Sequence, residues 1–65
     1  MKVRIKKEIL KALEEVRDSG QINMFDYNGV IAILTRKGKI QAVSWMLSHK
    51  LQYMNGIIEG FEAIE

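Results

Sequence analysis

The side chains that could perform chemistry are few and scattered along the chain. His49 is the single histidine and there is no cysteine, so a metal ion would lack the set of nitrogen and sulfur ligands that zinc sites use. Ser48 precedes His49, but neighbouring residues of a helix project from different faces, so the two do not form a nucleophile and its base. Ser19 and Ser44 have no recognisable nucleophile context either. The sequence therefore predicts no metal site and no nucleophilic centre.

Carboxylates offer the other possible chemistry. Glu14 and Glu15 are adjacent, and Glu59, Glu62 and Glu65 make the end of the chain acidic. Acid–base pairs need two carboxyl groups that face each other across a substrate, whereas helix surfaces exposed to water carry such residues routinely. We expect a non-enzymatic protein with no catalytic residues and no cofactor.

The first element that positions these residues is predicted to be a helix over residues 2–18. Ile5, Ile9, Leu13 and Val16 recur at intervals of four, four and three, which is the spacing of a core-facing helical stripe. Gly20 follows and supplies the left-handed residue that commonly closes a helix. We expect helix 1 to end there.

A second, short helix follows a tight turn. Asp26 is a good N-cap because its carboxylate can accept from free backbone N–H groups, and Asn23 is an alternative cap three residues earlier. Gly38, after Arg36 and Lys37, gives the stop signal. The apolar stripe of helix 2 is Val30, Ile33 and Leu34.

From Lys39 onward no proline or turn cluster interrupts the helical pattern, so the third helix is predicted to be the longest. Gly56 and Gly60 could fray or cap its end. A second apolar stripe makes this helix apolar over more of its circumference than one neighbour covers. The main stripe consists of Ile40, Leu47, Leu51, Met54, Ile58 and Phe61.

These elements predict an all-α fold in one small helical domain over residues 1–65. It would be a three-helix unit, with a helix-turn-helix hairpin followed by the long third helix. Since 65 residues are close to the lower limit for a self-sufficient core, and neither disulfide nor metal is available, we expect a homo-oligomer. The residues expected to associate lie on helix 3: Leu47, Leu51, Met54, Ile58 and Phe61.

The charge and hydropathy of the chain indicate which classes of partner and which cellular compartment to expect. The net charge is only +2, but basic residues crowd the start of the chain and the turn near Gly38. The longest uncharged stretch, residues 40–49, is far shorter than the roughly 20 residues that span a membrane. The start of the chain has no continuous apolar segment of the kind found in secretory signals. We therefore expect a cytoplasmic protein without a membrane partner.

Surface residues off the main stripe are the candidates for contact with a partner. Trp45 and Tyr53 could anchor an interface, with the basic residues Arg36, Lys37 and Lys39 beside them. The same basic residues, with helix 2, Gly38 and helix 3, superficially match a DNA-reading helix-turn-helix. Helix 3, however, carries few side chains suited to reading bases. Nucleic-acid binding is thus the alternative rather than the leading hypothesis.

One stretch resembles a known family. The residues that carry the resemblance are Ile9, Arg17-Asp18-Ser19-Gly20, Asn23-Met24-Phe25-Asp26 and Val30. They are similar to short phage and prophage proteins grouped as a domain of unknown function. The resemblance continues through Gly38, Ala42-Val43, Tyr53, Ile57 and Gly60. It implies a phage or prophage origin and work inside a bacterial cytoplasm, and brings no site residues with it.

Small phage proteins often act by binding a host or phage protein, and a compact helical unit with a broad apolar helix suits that task. The leading hypothesis is a non-enzymatic accessory protein that associates with itself and modulates a host or phage protein. The alternatives are a small nucleic-acid-binding regulator and a structural subunit of a phage assembly. Salt separates the first two, because phosphate contacts weaken with ionic strength and apolar contacts do not.

Overall fold

Two short strands at opposite ends of the chain pair with each other and close the fold. The computed structural model describes residues 1–64, so Glu65 of the acidic tail lies outside the described residues. The strands run parallel, with Val3 opposite Phe61 and Lys6 opposite Ile64. In chain order the elements are β1 (Val3–Lys6), α1 (Lys7–Ser19), α2 (Tyr27–Arg36), α3 (Ile40–Ser48), α4 (Lys50–Glu59) and β2 (Phe61–Ile64).

The prediction of an all-α, three-helix unit is therefore wrong: residues 1–64 form a mixed α/β fold with four helices and a two-stranded parallel sheet. The start of the chain alternates basic and apolar residues with a period of two, as a half-buried strand does. Ile5 is buried, whereas Arg4 and Lys6 are exposed. The spacing from Ile5 to Ile9 also fits a helix. The start of the chain is a strand because it pairs with β2, which lies far away in the sequence.

The predicted long third helix is also wrong, because the chain bends at His49 and forms α3 and α4 instead. His49 has φ −134° and ψ 50°, and its Nδ1 lies 3.1 Å from the carbonyl oxygen of Trp45. The 13-residue α1 is the longest helix in the part of the chain that the structure describes. At the other end Gly60 adopts φ 98° and terminates α4, so Phe61 belongs to β2 and not to a helical stripe.

The residues at the ends of α1 and α2 form the caps and turns through contacts with their near neighbours in the sequence. Gly20 follows α1 with φ 67°, and its N–H donates to the Arg17 carbonyl. Asp26 is the N-cap of α2, where its Oδ1 accepts from the Gly29 N–H at 3.1 Å. Asn23 accepts instead from the Phe25 N–H at 2.8 Å and so shapes the turn. Gly38, with φ 73°, follows α2.

The core lies between the sheet and the helices and is apolar throughout. Within residues 1–64 every buried polar side-chain atom has a hydrogen-bond partner, and none of the described helices is long and apolar enough to cross a bilayer. A single chain thus closes its own core. Its buried side chains are Ile5, Ile9, Ala12, Leu13, Val16, Val30, Ile33, Leu34, Ala42, Met46 and Tyr53.

Candidate functional site

Helices α3 and α4 leave large apolar side chains in water. Ile40 and Leu47 are 78% and 65% exposed, and Leu51 and Ile58 are 77% and 71% exposed. Residues seven apart in a helix are two turns apart and share a face, so each helix contributes one exposed apolar pair. We call Ile40, Leu47, Leu51 and Ile58 the apolar surface.

Helix α4 is apolar on two opposite sides. Tyr53 and Gly56 face the core and are buried, whereas Leu51 and Ile58 point away from it. Met54 lies between them by helical spacing and is half-buried. Ordinary surface helices put charged or polar residues opposite the core, so the outer side of α4 resembles a surface that packs against another protein.

The residues predicted to associate divide between this surface and the core. Leu47, Leu51 and Ile58 are exposed. Phe61 lies instead in β2, where its ring covers Gly56 so closely that a Cβ at that position would overlap it. The Phe61 ring also contacts Trp45 at a centroid distance of 6.2 Å. Phe61 therefore links the sheet to α3 and α4 and is not part of the apolar surface.

Tyr53 does not lie where a surface contact would need it. Its side chain is fully buried, and its hydroxyl donates to the Met24 carbonyl at 2.6 Å. Burial disfavours the charged phenolate, which raises the pKa of Tyr53 to about 12. Tyr53 fixes the turn before α2 to α4, so its role is structural rather than partner binding.

Trp45 is half-buried and belongs to an aromatic cluster. Its ring stacks on His49 with centroids 5.4 Å apart and planes 11° from parallel. Among the basic residues predicted to lie beside it, Arg36 and Lys37 are exposed at the end of α2. Lys39 approaches Glu15 with an Nζ to Oε1 distance of 3.7 Å, a pair too exposed to contribute much stability.

The groove that Trp45 lines has a different basic wall. It has a volume of about 620 Å³ and lies between the sheet and α3, with Arg4 and Lys6 of β1 on one side. The opposite side carries Gln41, Ser44 and Ser48. The sequence shows each of these residues but not their proximity, because it depends on the unexpected strand β1.

Within residues 1–64 no three His, Cys, Asp or Glu side chains come together as a metal site would require. Two surfaces of the described chain are large enough to contact a macromolecule: the apolar surface and the groove.

A known family model matches most of the chain. A family model described as a domain of unknown function, DUF5049, matches residues 1–61. The chain belongs to the DUF5049 family. No curated protein and no solved structure matches it. The DUF5049 match runs from before β1 to the first residue of β2, and it includes the whole apolar surface and most of the groove.

Proposed function

We propose that this DUF5049 chain is a non-enzymatic accessory protein of phage or prophage origin that works in the bacterial cytoplasm. It acts as a protein–protein interaction module, associates with itself and modulates a host or phage protein. The observation that carries the proposal is the apolar surface, whose four large side chains are between 65% and 78% exposed. Several large apolar side chains exposed on neighbouring helices are a feature of interaction sites.

Since the described chain already buries an apolar core with every buried polar side-chain atom paired, the apolar surface is not needed to complete the fold. Removing a large apolar side chain from water contributes about 1.5 to 3 kcal/mol. Four such side chains in each copy supply a driving force that association can use after its entropic cost is met.

A second copy of the chain is the occupant that the apolar surface fits, since two-fold packing sets the surface against itself. Lys50 begins α4 and Glu59 ends it, and both are exposed. Two-fold packing places the same surface of both copies in contact, and antiparallel α4 helices then set the basic start of one helix beside the acidic end of the other. Gln52 and Asn55 add no charge along the helix. Glu59 already pairs with the N-terminal ammonium of its own chain, so burial of the apolar residues drives the dimer and the helix charges contribute little.

Sedimentation equilibrium of the wild type and two variants tests this proposal. Leu51→Asp puts a charge in the centre of the interface, where desolvation is costly. Gln52→Asp makes the same charge change at an exposed neighbour on another side of α4 and is the control. We expect the wild type and Gln52→Asp to exceed the 7.5 kDa monomer mass and Leu51→Asp to sediment as a monomer with unchanged helicity. A monomeric wild type, or an unchanged mass for Leu51→Asp, would contradict the proposal.

The host or phage partner is tested separately. The same three proteins serve as baits in a bacterial lysate, with and without nuclease and at two salt concentrations. A protein retained by the wild type and Gln52→Asp under all conditions, but lost from Leu51→Asp, is expected for an interaction module. Only nuclease-sensitive, salt-labile material would favour the regulator instead. Large assemblies of the purified chain alone would favour the structural subunit.

A further inference from the structure

The basic wall of the groove consists of residues that β1 directs away from the core. Successive strand residues point to opposite faces, so burial of Ile5 sends Arg4 and Lys6 outward on the same face. Neither side chain takes part in any of the ion pairs found within residues 1–64. Two cations about 6.6 Å apart along the strand are therefore available to an anion.

The facing wall, on α3, consists of uncharged hydrogen-bonding groups. Gln41, Ser44 and Ser48 are exposed and recur at intervals of three and four, so they form one side of the helix. Hydroxyls elsewhere bond to their own helix, as Thr35 Oγ1 does to the Ile31 carbonyl at 2.8 Å. The three groove side chains make no such bond among the hydrogen bonds of the described chain. Their donors remain free for a ligand.

The aromatic pair of Trp45 and His49 completes the groove. Both rings line it and both are half-buried, so each keeps part of its surface open. The stacked arrangement is held by the contact of 3.1 Å between His49 Nδ1 and the Trp45 carbonyl. A planar π-surface beside cations and hydroxyl donors matches the parts of a nucleotide, because bases stack on aromatic rings and phosphates bind cations and hydroxyls.

We propose that this groove binds single-stranded nucleic acid, with phosphates on Arg4 and Lys6 and a base against the aromatic pair of Trp45 and His49. No described residue that lines it carries a carboxylate, and the acidic residue opposite Arg4 in the strand register is Glu62. A single strand fits better than a duplex because duplex bases are already stacked on each other. An acidic peptide would use the cations but not the aromatic rings.

Tryptophan fluorescence gives a direct readout, because Trp45 is the only tryptophan. The probe is an oligothymidylate of about 12 nucleotides. We expect it to change the Trp45 emission with saturable binding. Two phosphate contacts predict that log K falls with log salt at a slope of about −1.4, since each contact to a single strand contributes about −0.7.

Matched double variants locate the contacts. Arg4→Ala with Lys6→Ala removes the groove cations, and Arg36→Ala with Lys37→Ala removes the same charge at the end of α2, outside the groove. We expect the first pair to weaken binding at least tenfold and to flatten the salt slope, and the second pair to bind nearly as the wild type does. Equal losses from both pairs would overturn the proposal, since they would show attraction to net charge alone.

Ser44→Asp is a second test of the groove, which remains informative even if the variant of Arg4 and Lys6 in β1 does not fold. Ser44 is an exposed helical residue, so the substitution should preserve helicity while it places a carboxylate in the groove. Loss of oligothymidylate binding with unchanged circular dichroism is the expected result. Undiminished binding would overturn the proposal, as would poly-glutamate that changes the Trp45 emission and competes as well as the oligonucleotide does.

Discussion

At the scale of single residues, two tyrosines join separate parts of the chain through their hydroxyls. Tyr53 donates to the Met24 carbonyl and Tyr27 donates to the Met46 carbonyl, each at 2.6 Å. Their rings meet edge to face, with centroids 6.0 Å apart. Each phenol therefore satisfies its donor within the fold while it holds a turn or a helix end in place.

The burial of Tyr53 predicts a loss of stability in alkali. Its pKa is about 12 in the folded chain, above the usual value of about 10, so between these values the unfolded chain releases the proton and the folded chain retains it. Stability is thus fully present below about pH 10 and falls by about 2 to 3 kcal/mol as the pH approaches 12.

Tyr53→Phe isolates this contribution. At neutral pH the free energy of unfolding of the variant should be about 0.5 to 1.5 kcal/mol lower, because the hydrogen bond to Met24 is gone. As the pH rises into the alkaline range, the variant should lose less stability than the wild type. Urea unfolding of both proteins at about pH 9 and about pH 11 measures the difference. Parallel losses in the two proteins would show that Tyr53 does not carry the effect.

Gly56 is required for space and not for backbone conformation. It lies within α4, and a Cβ at that position would overlap the Phe61 ring. Gly56→Ala should therefore reduce stability by about 1 kcal/mol net, because overpacking costs about 1 to 3 kcal/mol and the better helix propensity offsets about 1.

The exposed neighbour Asn55→Ala is the control for Gly56→Ala, since it changes helix propensity without filling the core. Thermal unfolding should give a lower midpoint for Gly56→Ala and an equal or slightly higher one for Asn55→Ala. A rise in both midpoints would mean that Phe61 moves aside without cost.

At the scale of elements, what could be predicted depended on how local the signals are. The ends of α1 and α2 are marked by Gly20, Asp26 and Gly38, whose roles depend only on neighbouring residues. The strands β1 and β2 are four residues each, and their pairing joins the two ends of the chain, which no local pattern reports. The bend at His49 could not be predicted, because no glycine or proline lies beside it.

The cap of α2 provides an element-scale prediction. Asp26→Ala should lower the free energy of unfolding by about 0.5 to 2 kcal/mol, because the Gly29 N–H loses its acceptor at the start of the helix. Chemical denaturation measures this, with Asn23→Ala as the comparison. An unchanged midpoint for Asp26→Ala with a large loss for Asn23→Ala would assign the cap to Asn23.

At the scale of the whole molecule, the chain presents two surfaces that folding does not use. Helical spacing alone placed Leu47, Leu51 and Ile58 in one stripe with Met54 and Phe61. The structure leaves the first three exposed, whereas Met54 is half-buried and Phe61 lies in β2. The groove could not be selected in that way, because Arg4 reaches α3 only when the start of the chain is a strand. Its signal in the sequence was the alternation of Lys2, Arg4 and Lys6 with apolar residues.

The two surfaces share one helix but have different chemistry. Ile40 belongs to the apolar surface and also lines the groove, while the serines of α3 face only the groove. An apolar contact resists salt and a phosphate contact does not. Ionic strength therefore distinguishes the two activities in one protein.

Isotope-filtered nuclear Overhauser spectroscopy on a mixture of labelled and unlabelled protein shows whether the apolar surface joins two copies of the chain. We expect intermolecular cross-peaks from the methyl groups of Leu51 and Ile58, and their absence in Leu51→Asp. A wild-type spectrum without intermolecular cross-peaks, or with cross-peaks only from residues outside the apolar surface, would contradict this association.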